Sequence, residues 1–439
     1  MKSNRSGFNL VEAVVGTGIL LMFVLALYGL MVGALAIVND DQNRSAALGI
    51  ARKKIELIKN LPYDSVGTVG GVPAGDLLQT ETEVLNNVTY TIKTNIQYVD
   101  DEFDDVAPTD TLNTDYKKVR IRVTWSQGNS DNPVILVTNI VPTTIESNAT
   151  GGTIWIEVFD PTTSPLEPVA NADVTIEAPT LIPPISTTGE TDSDGRFILP
   201  GVPAGVEAYE VTVTKTNYST DQTYDRDALL NPNPDPPHLN VVDGEITQEY
   251  FEISRQVNLL AIHLRSVDTG EPHPDIPFRL HGELTKGTDG NGQPIYSYDE
   301  ILTTNAGGNA ELHDLPADSY SVLIDEASVG YVIAGYDHIL PYPAAALSSE
   351  TIIVDLDDYV PYTALINVRD SNNVPIADAS VKLMIASVYN TTINTDVNGQ
   401  AFFTPLSADT YELTITAAGY TTYTGTVIVN GNEEQIHVL

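Results

Sequence analysis

The feature that most constrains this chain is a long apolar run close to its start. Phe8 to Val38 spans 31 residues and contains a single charged side chain, Glu12. Crossing the hydrocarbon core of a bilayer takes about 20 apolar residues, so the run is long enough to span one. Lys2 and Arg5 precede the run and acidic residues follow it, which by the positive-inside rule places the N-terminus in the cytoplasm. The sequence therefore predicts a single-pass, exported protein with its N-terminus inside and its C-terminus outside.

Three interpretations of this segment are open. A secretory signal peptide has an apolar core of about 7–15 residues, much shorter than this run. A plain uncleaved anchor leaves Glu12 unexplained, because a carboxylate inside a membrane costs about 2.5–3.5 kcal/mol on insertion scales. Cleavage after Gly7 would instead create an α-amino group on Phe8, whose ordinary pKa is about 7.7–8. Glu12 of one copy could then face the Phe8 amine of a neighbour, which removes much of the penalty of burying each charge.

These residues resemble the type IV prepilin family. The shared features are a short basic leader, Gly7, Phe8, and a glutamate, Glu12, at the fifth position of the mature chain. The resemblance implies that a membrane-embedded prepilin peptidase cuts after Gly7 and methylates the new N-terminus at Phe8. It also implies that Glu12 acts in filament assembly, with other pilin subunits and the inner membrane as partners.

Composition excludes several other classes of protein. The chain has no cysteine, so it has neither disulfides nor thiolate metal sites. Residues 149–439 hold 9 basic and 42 acidic side chains, a net charge of −33. A surface this acidic repels phosphate backbones, so we expect no nucleic-acid partner.

The residues after the apolar run predict a long helix leading into a small sheet. Leu48, Ala51, Ile55 and Ile58 recur at helical spacing, and Pro62 ends the pattern. We therefore expect a leader at 1–7, one helix over 8–61 and a β head over 62–148. Three strands are predicted in the head: Asn87–Tyr98, Lys117–Trp125 and Val134–Val141. An acidic insert, Asp100–Asp115, separates the first two strands, and the whole plan resembles that of minor pilins and pseudopilins.

The rest of the chain is internally repetitive. The phrase Thr191–Phe197 corresponds to Thr304–Ala310 and to Thr395–Ala401, and each copy is followed by a tyrosine-bearing strand. Short strands separated by turn residues predict antiparallel β-sandwiches. Three of them are expected, at 149–256, 257–360 and 361–439. They resemble the carboxypeptidase-regulatory-like domain, a prealbumin-type, Ig-like sandwich, and more distantly the collagen-adhesin B-type repeat.

Motifs for chemistry are largely missing from the sequence. The seven histidines show no ligand spacing, and His273 with Asp275 is the closest approach to a catalytic pair. We therefore expect neither an enzyme nor a cofactor. Four residues carry the oxygen ligands that calcium prefers: Asp192, Asp194, Asp396 and Asn398. The same residue types form tight turns, and the sequence favours turns over a metal site.

The sequence thus predicts an α+β pilin module followed by three all-β sandwiches. An acidic appendage on every copy would crowd a fibre, which favours a minor pilin-like subunit of a type IV pilus-like filament. The sandwiches would serve adhesion or partner binding, with a surface glycan or a protein as ligand. Such a subunit resides in the cytoplasmic membrane before assembly and in a cell-surface filament afterwards. Two alternatives remain open: a pseudopilin of a type II secretion-like system, and an uncleaved membrane-anchored surface binding protein.

Overall fold

The structure is a computed structural model that describes residues 10–99, 115–126, 133–142 and 151–439. The predicted leader, 1–7, and Phe8 lie outside these ranges. So do most of the acidic insert, residues 100–114, and residues 127–132 and 143–150. The chain is an N-terminal helix followed by β-structure.

One long helix opens the described part of the chain. Helix α1 spans Leu10–Lys59, 50 residues without interruption, and a short 3-10 turn follows at Tyr63–Ser65. The helix ends before Pro62, which cannot continue a helix interior. The predicted range of 8–61 runs two residues past the observed end of the helix at Lys59.

The second half of α1 packs on a four-stranded antiparallel sheet. This part of the helix and the sheet together form the head. Its strands, in the spatial order β1-β2-β3-β4, are β1 (Thr80–Leu85), β2 (Val88–Val99), β3 (Tyr116–Trp125) and β4 (Val134–Ile140). Strands β2 to β4 are the three predicted ones, and β1 was not predicted. Ala47, Ala51 and Ile58 are fully buried against the inward-facing residues of this sheet, Val119 and Ile121 among them.

The residues from Gly151 onward form three pairs of facing sheets and one further sheet of three short strands. The strands of the first sandwich are β5 (Gly152–Asp160), β6 (Glu167–Pro168), β7 (Asp173–Ala178), β8 (Ile185–Glu190), β9 (Arg196–Val202), β10 (Gly205–Thr214), β11 (Asp221–Gln222), β12 (Asn233–Pro234), β13 (Leu239–Val241) and β14 (Ile246–Glu252). Strands β5, β6, β9 and β14 form one sheet, and β7, β8, β10, β11 and β13 form the other. Their facing apolar residues share one core.

The second sandwich has two four-stranded sheets. Its elements are β15 (Leu259–Ser266), β16 (Pro277–Gly282), β17 (Thr285–Thr288), β18 (Pro294–Tyr296), β19 (Asp299–Thr303), β20 (Asn309–Leu312), β21 (Asp318–Leu323), α2 (Glu326–Val329), β22 (Tyr331–Tyr336), β23 (Tyr342–Ala344) and β24 (Ser349–Asp358). The sheet orders are β20-β15-β24-β22 and β19-β16-β21-β23, and β17 and β18 form a separate sheet with β12 of the first sandwich, in the order β12-β17-β18.

The third sandwich is smaller. Its strands are β25 (Thr363–Arg369), β26 (Ser380–Ile385), β27 (Tyr389–Asn394), β28 (Gln400–Phe403), β29 (Asp409–Thr416), β30 (Tyr423–Val429) and β31 (Asn432–Val438). The sheet orders are β28-β25-β31 and β27-β26-β29-β30.

The expectation of purely antiparallel sandwiches is wrong in one respect. The first and last strands of every sandwich lie side by side and run parallel: β5 with β14, β15 with β24, and β25 with β31. The chain therefore enters each sandwich at one end and reaches the opposite end along the closing strand. Turn residues and alternating strands do not encode this pairing, because it joins segments at opposite ends of a domain.

The head and the first sandwich are in direct contact. Val72 of the head is buried in the core of the first sandwich. The backbone N–H of Ser186 donates to the carbonyl oxygen of Gly70 at 2.6 Å, and Arg120 forms an ion pair with Glu190. The sheet of the head therefore has a defined orientation relative to the first sandwich.

The first and second sandwiches are joined by more than the connecting chain. The backbone N–H of Ala317 in the second sandwich donates to Ser254 Oγ of the first at 3.2 Å. The insertion Thr220–Pro237 carries β12, which pairs with β17 of the second sandwich, and Asn231 Nδ2 donates to the carbonyl oxygen of Lys286 at 2.9 Å. The insertion thus bridges the two sandwiches.

The second and third sandwiches share apolar surface. Every residue of β25 is buried, because this strand packs on both of its faces. Leu365 belongs to the core of the second sandwich, whereas Ile366 belongs to the core of the third. In addition, the side-chain Oε1 of Gln400 accepts the backbone N–H of Tyr336 at 2.8 Å. This joint is therefore packed and hydrogen-bonded.

Candidate functional site

The candidate site is the first half of α1, where apolar side chains are uncovered. The large apolar side chains from Val15 to Val32 whose surroundings are described are 48–75% exposed. In the second half of the same helix Ala47, Ala51 and Ile58 are fully buried. Soluble monomers rarely expose a continuous apolar patch of this size, and such patches mark interaction surfaces. We call residues 15–32 the bare apolar segment.

No helix has an apolar stretch long enough to cross a membrane, counted over the residues that the structure describes.

The predicted assembly residues fall at the edge of the described chain or beyond it. Glu12 lies within α1, and the surroundings of its side chain are not described. Gly7 and Phe8 lie outside the described residues. The cleavage at Gly7, the methylation of Phe8 and the role of Glu12 therefore stay predictions.

A buried lysine fastens the 3-10 turn that follows α1 to the sheet. Lys117 of β3 is only 2% exposed, and its Nζ donates to the carbonyl oxygens of Tyr63 and Val66, both at 2.8 Å. The same ammonium lies 4.4 Å from the centre of the Tyr63 ring and 5.4 Å from that of Tyr98. Burial lowers the pKa of Lys117 to about 8, and the Asp64 carboxylate partly opposes that shift. Sequence reasoning missed this residue, although its position on the inward face of a predicted strand was a usable signal.

Two further lysines of α1 reach the edge strand of the head. Lys54 Nζ lies 2.6 Å from Glu81 Oε1, and Lys53 Nζ lies 3.3 Å from Glu83 Oε1. The first pair is largely shielded from solvent and the second is exposed, so the first contributes more. Together with Lys117 these contacts hold the second half of the helix on the head, from which the bare apolar segment projects.

A polar groove of about 360 Å³ separates the head sheet from the first sandwich. Lys93, Lys118 and Arg122 line the wall formed by the head, and Asp173 lies on the opposite wall. In a chain of net charge −38, this placement sets basic side chains opposite acidic ones. Their attraction supports the orientation of the first sandwich on the head.

The calcium candidates occupy turns and use their oxygens there. Asp192 Oδ1 accepts the backbone N–H groups of Asp194 and Arg196 at 2.9 and 2.8 Å. Asp396 Oδ1 accepts those of Asn398 and Gln400, both at 2.9 Å. Within the described ranges, no group of three or more histidine, aspartate or glutamate side chains is arranged to hold a metal ion.

Each of these turns closes on a glycine that the geometry requires. Gly195 and Gly399 both have φ of +73°, in the left-handed region that L side chains rarely adopt. A Cβ on Gly399 would lie 2.5 Å from the carbonyl oxygen of Val368. The preceding threonine completes the turn, since Thr395 Oγ1 accepts the N–H of Ala379 and donates to the carbonyl oxygen of Ile376. The repeated phrase is thus explained by backbone geometry.

We expect Asp396→Ala to destabilise the third sandwich by about 1–3 kcal/mol, because two backbone N–H groups lose a charged acceptor. Asp396→Asn keeps an oxygen at that position and should retain most of the stability. Urea denaturation with and without added Ca²⁺ checks both points, and the midpoint of the unsubstituted chain should be the same in the two series. A rise with Ca²⁺ that Asp396→Ala removes would contradict the assignment as a turn.

The two residues of the candidate catalytic pair, His273 and Asp275, lie in a ring contact and in a turn. The ring of His273 lies against that of Tyr331, with 4.3 Å between their centres. Burial lowers the pKa of His273. Asp275 has a positive φ of 57° and forms a turn.

Residues 366–438 match the family model of the carboxypeptidase regulatory-like domain. The third sandwich, residues 363–438 from the first strand to the last, is therefore a domain of that type. The match covers less than half of the chain. The chain matches no curated protein.

Three solved structures of bacterial proteins are among those similar to this chain. The Bacillus anthracis TIE protein is 17% identical over 80% of this chain and 68% of its own, with a TM-score of 0.19. The shaft pilin SpaA of Lactobacillus rhamnosus GG is 14% identical over 48% of this chain and all of its own, with a TM-score of 0.19. The minor pilin GBS52 of Streptococcus agalactiae is 14% identical over 48% and 97%, with a TM-score of 0.23. These TM-scores are too low to support a conclusion about this chain.

Proposed function

We propose that this chain is a minor pilin-like subunit that joins a type IV pilus-like filament through α1. The observation that carries the proposal is the bare apolar segment, which continues a helix whose second half is fixed to the head. Fully burying one large apolar side chain contributes about 1.5–3 kcal/mol, so covering this segment is strongly favourable. A bundle of the same helices, or acyl chains before assembly, provides that cover.

Processing at the N-terminus is part of the same proposal. A prepilin peptidase removes residues 1–7 and methylates Phe8, and the helix holds the chain in the cytoplasmic membrane until assembly. The resemblance at Gly7, Phe8 and Glu12 supports this step. N-terminal sequencing of protein from the native host is expected to begin at a methylated Phe8. A chain that still begins at Met1 would leave only a tethered surface protein.

The sandwiches form the outer part of the proposed subunit. We propose that they are three copies of one type of domain. Each has a glycine with φ of +73° at the same place in the repeated phrase (Gly195, Gly308 and Gly399), and each has the same pairing of first and last strands. Their strong negative charge favours sparse or terminal placement in a fibre, because copies on every subunit would repel one another. Displayed in this way, they serve adhesion or partner binding and have no enzymatic role.

Immunogold labelling separates the proposal from its nearest alternative. Antibody against the third sandwich is expected to label the tips of fibres or scattered points along them. Label confined to the cell envelope would instead favour a pseudopilin of a secretion system, in which the sandwiches contact cargo.

A further inference from the structure

The parallel pairing of first and last strands is the same in all three sandwiches. Strand β5 pairs with β14 over seven residue positions, β15 with β24 over eight, and β25 with β31 over seven. No other pair of named strands within the described ranges runs parallel. We call each of these three pairs a clamp.

The direction of the chain decides how a clamp responds to tension. In the first two sandwiches the chain enters at the start of the first strand and leaves at the end of the last strand. Because the two strands are parallel neighbours, these points lie at opposite ends of the pair. A pull along the chain therefore slides one strand past the other, and all hydrogen bonds between them are loaded at once. A pull across a hairpin such as β26–β27 would open its bonds one after another.

The joints between the sandwiches continue this path. Leu365 and Phe402 of the third sandwich pack on the core of the second, and the β12–β17 pairing joins the second to the first. Val72 of the head is buried in the first sandwich. Tension applied at the outer end thus reaches the head through packed surfaces as well as through single connecting chains.

We propose that the three sandwiches are a load-bearing stalk, in which each parallel clamp resists unfolding when the chain is pulled from its ends. This proposal rests on the proposed function for one point, the source of the load. The filament holds one end of the chain, and a ligand of the outer domains holds the other. The stalk transmits tension between α1 and whatever the outer domains hold. It needs no covalent crosslink, because the resistance comes from the simultaneous loading of the backbone hydrogen bonds.

The ladder of the third clamp offers a matched pair of variants. The N–H of Leu439 donates to the carbonyl oxygen of Arg369 at 2.8 Å, and the N–H of Thr363 donates to that of Gly431. By the alternation of a parallel ladder, the N–H of Gln435 faces β25, whereas that of Ile436 faces the free edge of β31. Proline removes the N–H at either position. Gln435→Pro therefore breaks the clamp, and Ile436→Pro leaves its bonds in place.

Single-molecule pulling of the full chain tests the proposal. The chain has no cysteine, so Val141→Cys and Val438→Cys, at two exposed positions, provide unique handles on either side of the sandwiches. We expect three separate high-force peaks. The third sandwich gives the smallest gain in length, because it has the fewest residues between its clamp strands. Gln435→Pro should lose the high-force peak of the third sandwich, and Ile436→Pro should keep it.

A second pulling geometry needs no change within the strands. Handles at Tyr359→Cys and Asn430→Cys pull on the starting ends of β25 and β31, so their bonds break one by one and the third sandwich should open at a much lower force. Equal forces in the two geometries would overturn the proposal. So would an equal loss of force in the two proline variants, or the absence of high-force peaks in the parent chain. These readings use isolated molecules, so a failure of filament assembly would not affect them.

Discussion

Glu12→Leu is expected to abolish incorporation of the chain into filaments while leaving its folded domains intact. The physical reason is the proposed pairing of the Glu12 carboxylate with the Phe8 amine of a neighbouring helix. With leucine at this position the apolar run becomes more apolar, but the amine of the neighbour is buried without a counter-charge. Breaking a buried ion pair in this way costs about 3–5 kcal/mol, enough to prevent assembly at each contact. Electron microscopy and immunoblotting of sheared filament fractions measure the effect.

The same helix provides the control for this experiment. Glu56 lies in the second half of α1 with its carboxylate exposed, 3.8 Å from Lys59. Glu56→Leu removes one charge from the same helix without touching the proposed pair, and we expect it to assemble like the parent chain. Normal filaments from Glu12→Leu would refute the assembly role of Glu12. Loss of filaments in both variants would show that the effect is not specific to the proposed pair.

Local patterns were sufficient to predict α1 and strands β2 to β4 of the head. Ala51 and Ile58 repeat at helical spacing and are buried on the head, and the alternation of Val119 and Ile121 marks the buried face of β3. Both patterns reflect which face of an element meets a core, and this is visible within a few residues. The repeated tyrosines are a related case. Tyr320 and Tyr411 are buried, and each hydroxyl bonds to a carbonyl a few residues upstream, at 2.9 and 3.1 Å.

Contacts between distant segments could not be predicted in this way. Strand direction within a sheet depends on which segments become neighbours, so the parallel clamps were missed. Nothing in the residues of the insertion Thr220–Pro237 identifies β17 as the partner of β12. At the candidate site, the motif at Gly7 and Phe8 predicts cleavage and methylation, but both residues lie outside the described chain. The bare apolar segment could be predicted directly from the apolar composition of that stretch.

Lys117 was also missed from the sequence, because its burial depends on contacts with a distant segment of the chain. The second prediction with a large effect concerns this residue. We expect Lys117→Ala to destabilise the head by about 3 kcal/mol or more at pH 9.5. Truncating a long, fully buried side chain costs about 2–5 kcal/mol, and the carbonyl oxygens of Tyr63 and Val66 lose their donor as well. Urea denaturation measures the difference. The fluorescence of Trp125 reports the unfolding of the head, and Trp155 of the first sandwich is changed to phenylalanine in both chains.

The stability of the head should also depend on pH through this residue. The pKa of Lys117 is about 8 in the folded chain and 10.5 ordinarily, so between these values the unfolded chain binds a proton that the folded chain has released. Unfolding then takes up a proton, and stability rises with pH, by about 2 kcal/mol between pH 8 and 9.5. Above pH 10 the raised pKa of Tyr63, about 12, acts in the opposite direction, so the test stays below that limit.

Lys117→Met fills the same space without a titrating group and should show no such rise. Two results would show that the buried ammonium is not the source of this pH dependence. One is an NMR titration of the Lys117 side chain with a midpoint near its ordinary pKa, and the other is an equal rise of stability with pH in Lys117→Met.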